Sequence, residues 1–395
     1  TVQLRACCVQ AQGVVMRCSI GPRWACAFFF GVVGVAYGAV MSRMPALKAQ
    51  TGMDDADVGL VLLCMGLGGL SSFPLAGLTL SRASCRRVLI AAASVLLLFF
   101  PCVGLASSVI QACSLFAMLG FAVGFNDVAI NTGSILVESA MRRPVISSMH
   151  ALFSAGGLLG ALSGSAMAAL NVSPLGNFAA VSLMLLVALP FFASQLLRDE
   201  PRPAARKERL RRPPLWIVLF GLILLCAYSS EGAAGEWGAL LLHDVKGASE
   251  ELAALVYASF SVAMVVMRFF GDRLRERFGD VSLMRVCTGC ALGGIVLALF
   301  APWASLCLIG FGLMGVGLSV IVPIVFSAAG RRCDAEGGIP TGTATAFLSM
   351  MAASGQLFIP PLIGMLGGVV GLQWALLVVV FLCAFMFLNA GTVRR

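Results

Sequence analysis

A carboxylate interrupts one of the most apolar stretches of the chain, FAMLGFAVGFNDVAINTGSILVE, at residues 116–138. Asp127, Asn131, Ser134 and Glu138 have the spacing that places side chains on one face of a helix. An acid inside a membrane is costly and usually has a function. Because burial disfavours its charged form, Asp127 could bind and release a proton as its exposure changes. The alternative is a structural hydrogen bond to a nearby Ser, Asn or backbone group.

A second acid lies in CAYSSEGAAGEWGALLL, residues 226–242. Glu231 follows the start of its apolar run by about sixteen residues, or ~24 Å along a helix. Serines and glycines surround it, so the helix could bend or open there. We therefore expect Asp127 and Glu231 to be the residues that couple transport of a solute to protons.

Several neutral polar side chains could hold such a solute. The candidate substrate-binding residues are Asn126, Asn131, His150, Tyr37 and Gln356. His150 could equally be a polar cap near the membrane interface. For Tyr37 and Gln356, packing or solvation at a cavity wall is as plausible as a hydrogen bond. Arg43 could anchor an anionic solute or extend to the membrane surface.

Charged residues near the ends of the helices could open and close the protein. The candidate gating residues are Arg82, Glu138, Glu276 and Arg277. For Glu138 we expect an ion pair with Arg142, Arg143 or Arg82.

The composition places all these residues in a membrane protein. Of the 395 residues, 59% are hydrophobic and only 11% are charged, and the mean hydropathy is +0.97. A spanning helix needs about 20 mostly apolar residues, and the runs do not alternate as barrel strands would. The predicted spans are 24–44, 57–80, 88–106, 109–138, 145–170, 175–197, 215–242, 252–270, 284–301, 304–328, 342–366 and 372–390.

The basic residues predict the orientation. Of the 27 Lys and Arg residues, all but Arg43, Lys48 and Lys246 fall in connections on one side. Arg268 is counted here with the connection after the eighth span. Such an excess marks the cytoplasmic side. We expect a multi-pass protein of the bacterial inner (plasma) membrane with both termini in the cytoplasm. Since this asymmetry accounts for the net charge of +9, no nucleic-acid partner is expected.

The chain divides into two similar halves. The connection LLRDEPRPAARKERLRRPPLW at 196–216 is basic and rich in proline, and six predicted spans lie on each side of it. The turns GLTLSRASCRR and GDRLRERFGD also occupy matching places in the two halves. A parallel repeat of this kind holds its solute near the midplane between the halves. The predicted segments are a cytoplasmic N-terminal segment (1–23), a six-helix bundle (24–197), a cytoplasmic linker (198–214), a second six-helix bundle (215–390) and a cytoplasmic tail (391–395).

This organisation resembles the major facilitator superfamily. That family has a Gly-x-Leu-x-Asp-Arg-x-Gly turn after its second span, often repeated after its eighth. The second copy is matched by Leu274, Glu276, Arg277 and Gly279, with Glu in place of Asp, while the first keeps Gly77 and Arg82. The resemblance implies an all-α membrane protein, with twelve transmembrane helices in two six-helix repeats, that transports solutes by alternating access.

A narrower resemblance is to the fucose-permease-like branch. Its fourth span has an acid followed four residues later by Asn, as Asp127 and Asn131 are here. It implies proton-coupled symport of a small polar solute, sugar-like or a related metabolite. That branch also has a carboxylate late in its first span, whereas residues 24–45 contain no Asp or Glu. Sugar specificity therefore does not transfer.

Other patterns carry no chemistry. The glycines of GFGLMG at 310–315 lie inside a predicted span and indicate helix packing, not nucleotide binding. Cys287 and Cys290 have CxxC spacing but apolar neighbours, so we interpret them as packing residues. We find no nucleophile–base set and no zinc-site cluster. We expect no enzymatic activity, no cofactor and no metal.

Two alternatives stay open. One is proton-coupled efflux of drugs or metabolites, although the fifth span lacks the proline typical of drug–proton antiporters. The other is a non-transporting membrane sensor or scaffold. The expected partners are a small-molecule solute, protons and the lipid bilayer, and we expect a monomer.

Overall fold

The structure, a computed structural model, describes residues 21–199, 213–248, 250–336 and 339–394. Within these ranges the regular elements are all helical. Most of the predicted N-terminal segment, most of the central linker and the last residue of the predicted tail lie outside the described residues.

The first helix group, α1–α6, precedes the central linker. Its members are α1 (Gly21–Thr51), α2 (Asp55–Leu80), α3 (Cys85–Phe99) with a 3-10 turn (Phe100–Leu105), α4 (Val109–Met141), α5 (Ile146–Ala169) and α6 (Pro174–Gln195).

The second helix group, α7–α14, follows the linker. Its members are α7 (Leu215–Leu240) with a π turn (Leu241–Val245), α8 (Glu250–Phe278), α9 (Asp280–Phe300), α10 (Ala304–Leu318), α11 (Ile321–Glu336), α12 (Thr341–Val370), α13 (Leu372–Ala375), α14 (Leu377–Leu388) and a 3-10 turn (Ala390–Val393).

Eleven stretches of the described chain are helical, long and apolar enough to cross a membrane. Helices α10 and α11 together form one of them, Ala304–Glu336. The twelfth predicted span corresponds to α13 and α14, a shorter apolar segment over Leu372–Leu388. The prediction of an all-α membrane protein is confirmed.

One of the wrong boundary predictions matters for the site. The eighth span was expected to end at residue 270, with the basic residues beyond it in a cytoplasmic connection. Helix α8 instead continues to Phe278, and Arg268 and Arg275 are both buried within it. Arginines that pair with acids on neighbouring helices can be enclosed, and a count of charges along the chain cannot detect such pairing.

Glycines bring α1 and α5 into backbone contact. A Cβ atom added at Gly34, Gly38 or Gly160 would collide with a backbone carbonyl of the facing helix. One added at Gly156 would lie 2.5 Å from the carbonyl oxygen of Gly31. Only glycine permits this approach, so the two helices form one tightly packed pair.

Each helix group has its own buried core. One core is built from residues of α1–α6. The other is built from α7–α14 and also takes in Ile135 and Ile146. These two residues lie near the end of α4 and at the start of α5, so at this end the first group packs into the second. We call it the basic end, since Arg82, Arg142, Arg143 and Arg277 are exposed there. The opposite end of the bundle is called the far end.

Candidate functional site

Asp127 lies near the middle of α4 and joins the two helix groups. Its Oδ2 accepts a hydrogen bond from the hydroxyl of Ser349 on α12, at 2.7 Å. Its Oδ1 accepts one from the Asn131 side-chain amide, at 3.0 Å. The i, i+4 spacing of Asp127 and Asn131 on one helix makes the second bond possible. The sequence prediction that the two side chains lie together is thus confirmed, while Ser349 is an additional partner.

A buried arginine forms the second part of the site. Arg268 of α8 places its Nη2 3.8 Å from Oε2 of Glu231 on α7. Its Nη1 donates to Ser154 of α5 at 2.8 Å, and its Nε donates to the carbonyl of Ser319 at 3.5 Å. Arg268 therefore also links the helix groups, since Ser154 belongs to the first and Glu231 to the second.

Tyr228 is the tyrosine of α7. It is partly buried on α7 and lies three residues before Glu231 on that helix. The acids predicted to couple protons both belong to contacts between the helix groups, and we call these contacts the polar region.

His150 borders the same region from α5. Its ring is buried, with centroids 4.8 Å from Phe30 and 6.5 Å from Phe326, and it interacts electrostatically with Arg268. Its Nε2 is buried and has no hydrogen-bond partner within the described part of the chain. The same is true of the Asn131 Oδ1. Buried polar atoms are normally paired, so each could serve a solute.

Other candidates lie apart from the Asp127 contact. The Asn126 amide donates to the carbonyls of Ala92 on α3 and Ala122, at 3.0 and 2.9 Å. Asn126 also lines an apolar groove of about 770 Å³ between α2, α3 and α4. Gln356 is exposed on α12. No contact in the structure supports a role for either in binding solute.

The Arg43 side chain is hydrogen-bonded to backbone carbonyls. It is buried and donates to the carbonyls of Gly164 and Val172, at 3.4 and 2.5 Å. It thus fastens α1 to the end of α5 and the turn that follows. Neither role considered for it from the sequence matches this position.

A charged cluster closes the basic end. The Glu138 carboxylate accepts bonds from both terminal nitrogens of Arg275, at 3.2 and 3.3 Å, and from the hydroxyl of Ser327. Arg275 in turn donates to Asp280 at 2.9 Å. The cluster joins α4 to α8, α9 and α11. The partners expected for Glu138, namely Arg142, Arg143 and Arg82, were wrong.

Two carboxylates from different helices hold the start of α5. This helix has no side-chain cap of its own. Glu138 accepts from the amides of Val145 and Ile146, at 2.9 and 3.3 Å. Asp272 of α8 accepts from those of Ser147 and Ser148, at 3.0 and 3.1 Å. The free N–H groups and positive end of the helix dipole favour such anions.

The other predicted gating residues lie outside this cluster. Arg82, Glu276 and Arg277 are exposed, and the Arg277 guanidinium lies 5.4 Å from the centre of the Phe278 ring. Asp272 and Arg275 instead make the contacts between helices at this end. One signal was available in the sequence, because Arg268, Asp272 and Arg275 are spaced as neighbours on one helix face.

The described residues include no group of three or more His, Cys, Asp or Glu side chains that could hold a metal ion. At the basic end, a cavity of about 270 Å³ is lined by the Glu138 cluster together with Arg142, Arg143 and Arg331.

Comparison with known proteins identifies the family. The Major Facilitator Superfamily model matches residues 26–339. The chain is 31% identical over 369 residues to an uncharacterised MFS-type transporter of Yersinia pestis, covering 93% of this chain and 94% of the relative. It is 32% identical over 385 residues to the uncharacterised transporter y4wD of Sinorhizobium fredii, covering 96% and 100%.

Solved structures agree with this assignment. The transporter FucP in the outward conformation matches with a TM-score of 0.80 at 15% identity, covering 94% of this chain and 98% of FucP. A second FucP structure, of the E. coli fucose:proton symporter, matches with a TM-score of 0.73 at 16% identity and the same coverage. At this identity the match shows the fold. With the family match, it makes the chain a multi-pass membrane transporter of the major facilitator superfamily, not an enzyme.

Proposed function

We propose that this transporter moves a small polar solute, sugar-like or a related metabolite, by proton-coupled symport. The observation that carries the proposal is the contact of Asp127 with Ser349. A carboxylate in the middle of a spanning helix is hydrogen-bonded across the seam between the two helix groups. A change in its protonation therefore acts directly on the contact that must break for the groups to move.

The hydrogen bonds to Asp127 suggest how a proton would act. Ser349 and Asn131 both donate, so the arrangement suits the ionised carboxylate. Proton uptake would convert one acceptor oxygen into a donor and weaken the attraction to these donors. Helices α4 and α12 could then separate. Glu231, which shares its polar region, is the second proposed proton site.

The closed basic end fits one state of an alternating-access cycle. We place it on the cytoplasmic side, because Lys and Arg are enriched in cytoplasmic connections. The solute would enter from the far end and bind beside Asp127 and Glu231. Breaking the Glu138–Arg275 and Asp272–α5 contacts would then open the path to the cytoplasm.

Two unpartnered buried atoms are the proposed hydrogen-bonding ligands. The Asn131 Oδ1 could accept from a hydroxyl or amine, and the His150 Nε2 could accept or donate according to its tautomer. The fold shared with a fucose:proton symporter supports a hydroxylated solute and coupling to protons.

A two-stage experiment tests the proposal. The purified protein is screened by thermal shift at pH 5.5 and 7.5 against sugars, sugar acids, nucleosides, amino acids and common drugs. Each hit is then tested in proteoliposomes that carry an internal pH indicator. We expect the solute to drive proton entry in the wild type and not in Asp127→Asn, which keeps the shape of the side chain but cannot carry a proton.

Asp244→Asn is the matched control. It makes the same change in an acid that is exposed and paired with His243, at 2.6 Å, and should leave coupled transport intact. Proton entry in Asp127→Asn equal to that of the wild type would refute coupling at this site. Proton movement opposite to that of the solute would support efflux. The absence of transport by every hit would favour the sensor or scaffold alternative.

A further inference from the structure

The chain has only three tyrosines, one each on α1, α7 and α8. Tyr228 interacts electrostatically with Glu231. Tyr37 does so with Glu231, Glu236 and Tyr257. Tyr257 lies directly beside α7, because a Cβ atom added at Gly235 would be 3.4 Å from its ring. Tyrosines from α1, α7 and α8 thus converge on two acids of α7.

Several members of this cluster are exposed although they lie within spanning helices. Every residue of α1 from 32 to 40 is buried except Tyr37, which is 44% exposed. Because neighbouring helices enclose α1, Tyr37 is not a membrane-interface tyrosine. Glu231 has 35% of its side chain exposed, and Glu236 is exposed. The Tyr37 ring and both carboxylates are therefore accessible to a solute.

The charge of this cluster is negative. Glu231 has one cationic neighbour, Arg268, at 3.8 Å, and that guanidinium is also occupied by Ser154 and Ser319. Glu236 makes no ion pair with any residue that the structure describes. One carboxylate is thus partly neutralised while the other is not, so this cluster attracts cations and repels anions.

We infer that the solute carries a protonated amine, bound by Glu236 and the faces of Tyr37 and Tyr257. Aromatic rings beside a carboxylate attract organic cations through the negative ring face and direct charge pairing. The inference rests on the proposed transport function and narrows its solute class to hydroxylated amines such as amino sugars.

Matched pairs of compounds test the charge directly. The full-length protein is titrated with glucosamine against glucose, putrescine against butane-1,4-diol, and choline against 3,3-dimethylbutan-1-ol. Binding is measured by thermal shift and calorimetry at pH 7. We expect at least one amine to bind while its neutral counterpart, at the same concentration, does not.

Two variant pairs separate charge from aromatic contact. Glu236→Gln should weaken amine binding by about threefold to thirtyfold, while Asp244→Asn at the same end should not change it. Tyr37→Leu should weaken it by about threefold to thirtyfold, whereas Tyr37→Phe, which keeps the ring, should stay within about twofold. Glu236 and Tyr37 are exposed, so these changes should leave the fold intact.

The outcomes distinguish this inference from the transport proposal. Equal binding of a neutral counterpart, no binding of any amine, or unchanged amine affinity in Glu236→Gln would overturn the inference. A neutral sugar whose coupled transport is lost in Asp127→Asn would reject the amine and keep the transporter. An amine that binds through Glu236 but never moves protons would keep the ligand class and reject symport.

Discussion

Replacing Glu138 with glutamine should loosen the basic end without unfolding the protein. In the closed state this carboxylate accepts bonds from a buried guanidinium, a hydroxyl and two backbone amides. Glutamine has nearly the same size but only one acceptor oxygen, and its NH2 group would face the Arg275 donors. The cost falls on the closed state, because water would solvate the side chain once the gate opens.

The free-energy cost of Glu138→Gln depends on the contacts that Arg275 and the new glutamine keep. Breaking a buried ion pair costs about 3–5 kcal/mol when the partner charge is left alone. Arg275 retains Asp280 at 2.9 Å, and the glutamine oxygen keeps one acceptor position. We therefore expect a cost of about 1–3 kcal/mol, which shifts the balance between closed and open states by about 5- to 150-fold.

Hydrogen–deuterium exchange reports this shift at the atoms concerned. The amides of Val145 and Ile146 should be protected in the wild type and exchange faster in Glu138→Gln. Glu276→Gln is the matched control, because Glu276 is an exposed acid next to Arg275 in sequence. Unchanged protection in Glu138→Gln, or equal loss in both variants, would show that the Glu138 cluster does not hold the gate closed.

Two further predictions concern neighbouring contacts. Asp272→Asn should lower the stability of the closed state by about 1–2 kcal/mol and raise hydrogen–deuterium exchange at the Ser147 amide. Glu276→Gln, a change in an exposed acid, should do neither. Equal exchange in the wild type and Asp272→Asn would contradict this. Gly38→Leu should lower the melting temperature or abolish folded protein, because its side chain would meet the Gly157 carbonyl and overpacking costs at least about 1–3 kcal/mol; a thermal-shift trace like that of the wild type would contradict it.

The helices and the central acid could be predicted because both are local signals. Apolar runs of the required length predicted most of the spans, although α1, α8 and α11 extend seven or eight residues past their predicted ends. The four-residue spacing of Asp127 and Asn131 placed them on one helix face, where they form a hydrogen bond. The partner of Asp127 across the seam could not be predicted in the same way. Ser349 lies 222 residues away, and a serine in an apolar helix is too common to indicate contact.

The prediction for the arginines of α8 was wrong for a different reason. Counting Lys and Arg by connection assumes that a cation near the end of an apolar run lies in water. Arg268 and Arg275 are instead buried because acids on α7, α4 and α9 face them. The sequence contains both charges of each pair but does not show that they meet, so residue type alone assigned these arginines to the wrong environment.

The glycine contacts hold α5 rigidly against α1. Its inner segment cannot slide past α1, since carbonyls interlock at Gly156 and Gly160. Its first turn is bonded to Asp272 of α8 through Ser147 and Ser148, and Ser154, about 10 Å further along, accepts a hydrogen bond from Arg268. A movement of this first turn would therefore move α1 and α5 together as one rigid body. Tyr37 on α1 would then move with it. The proposed gate and the proposed binding region would therefore be coupled through one pair of helices.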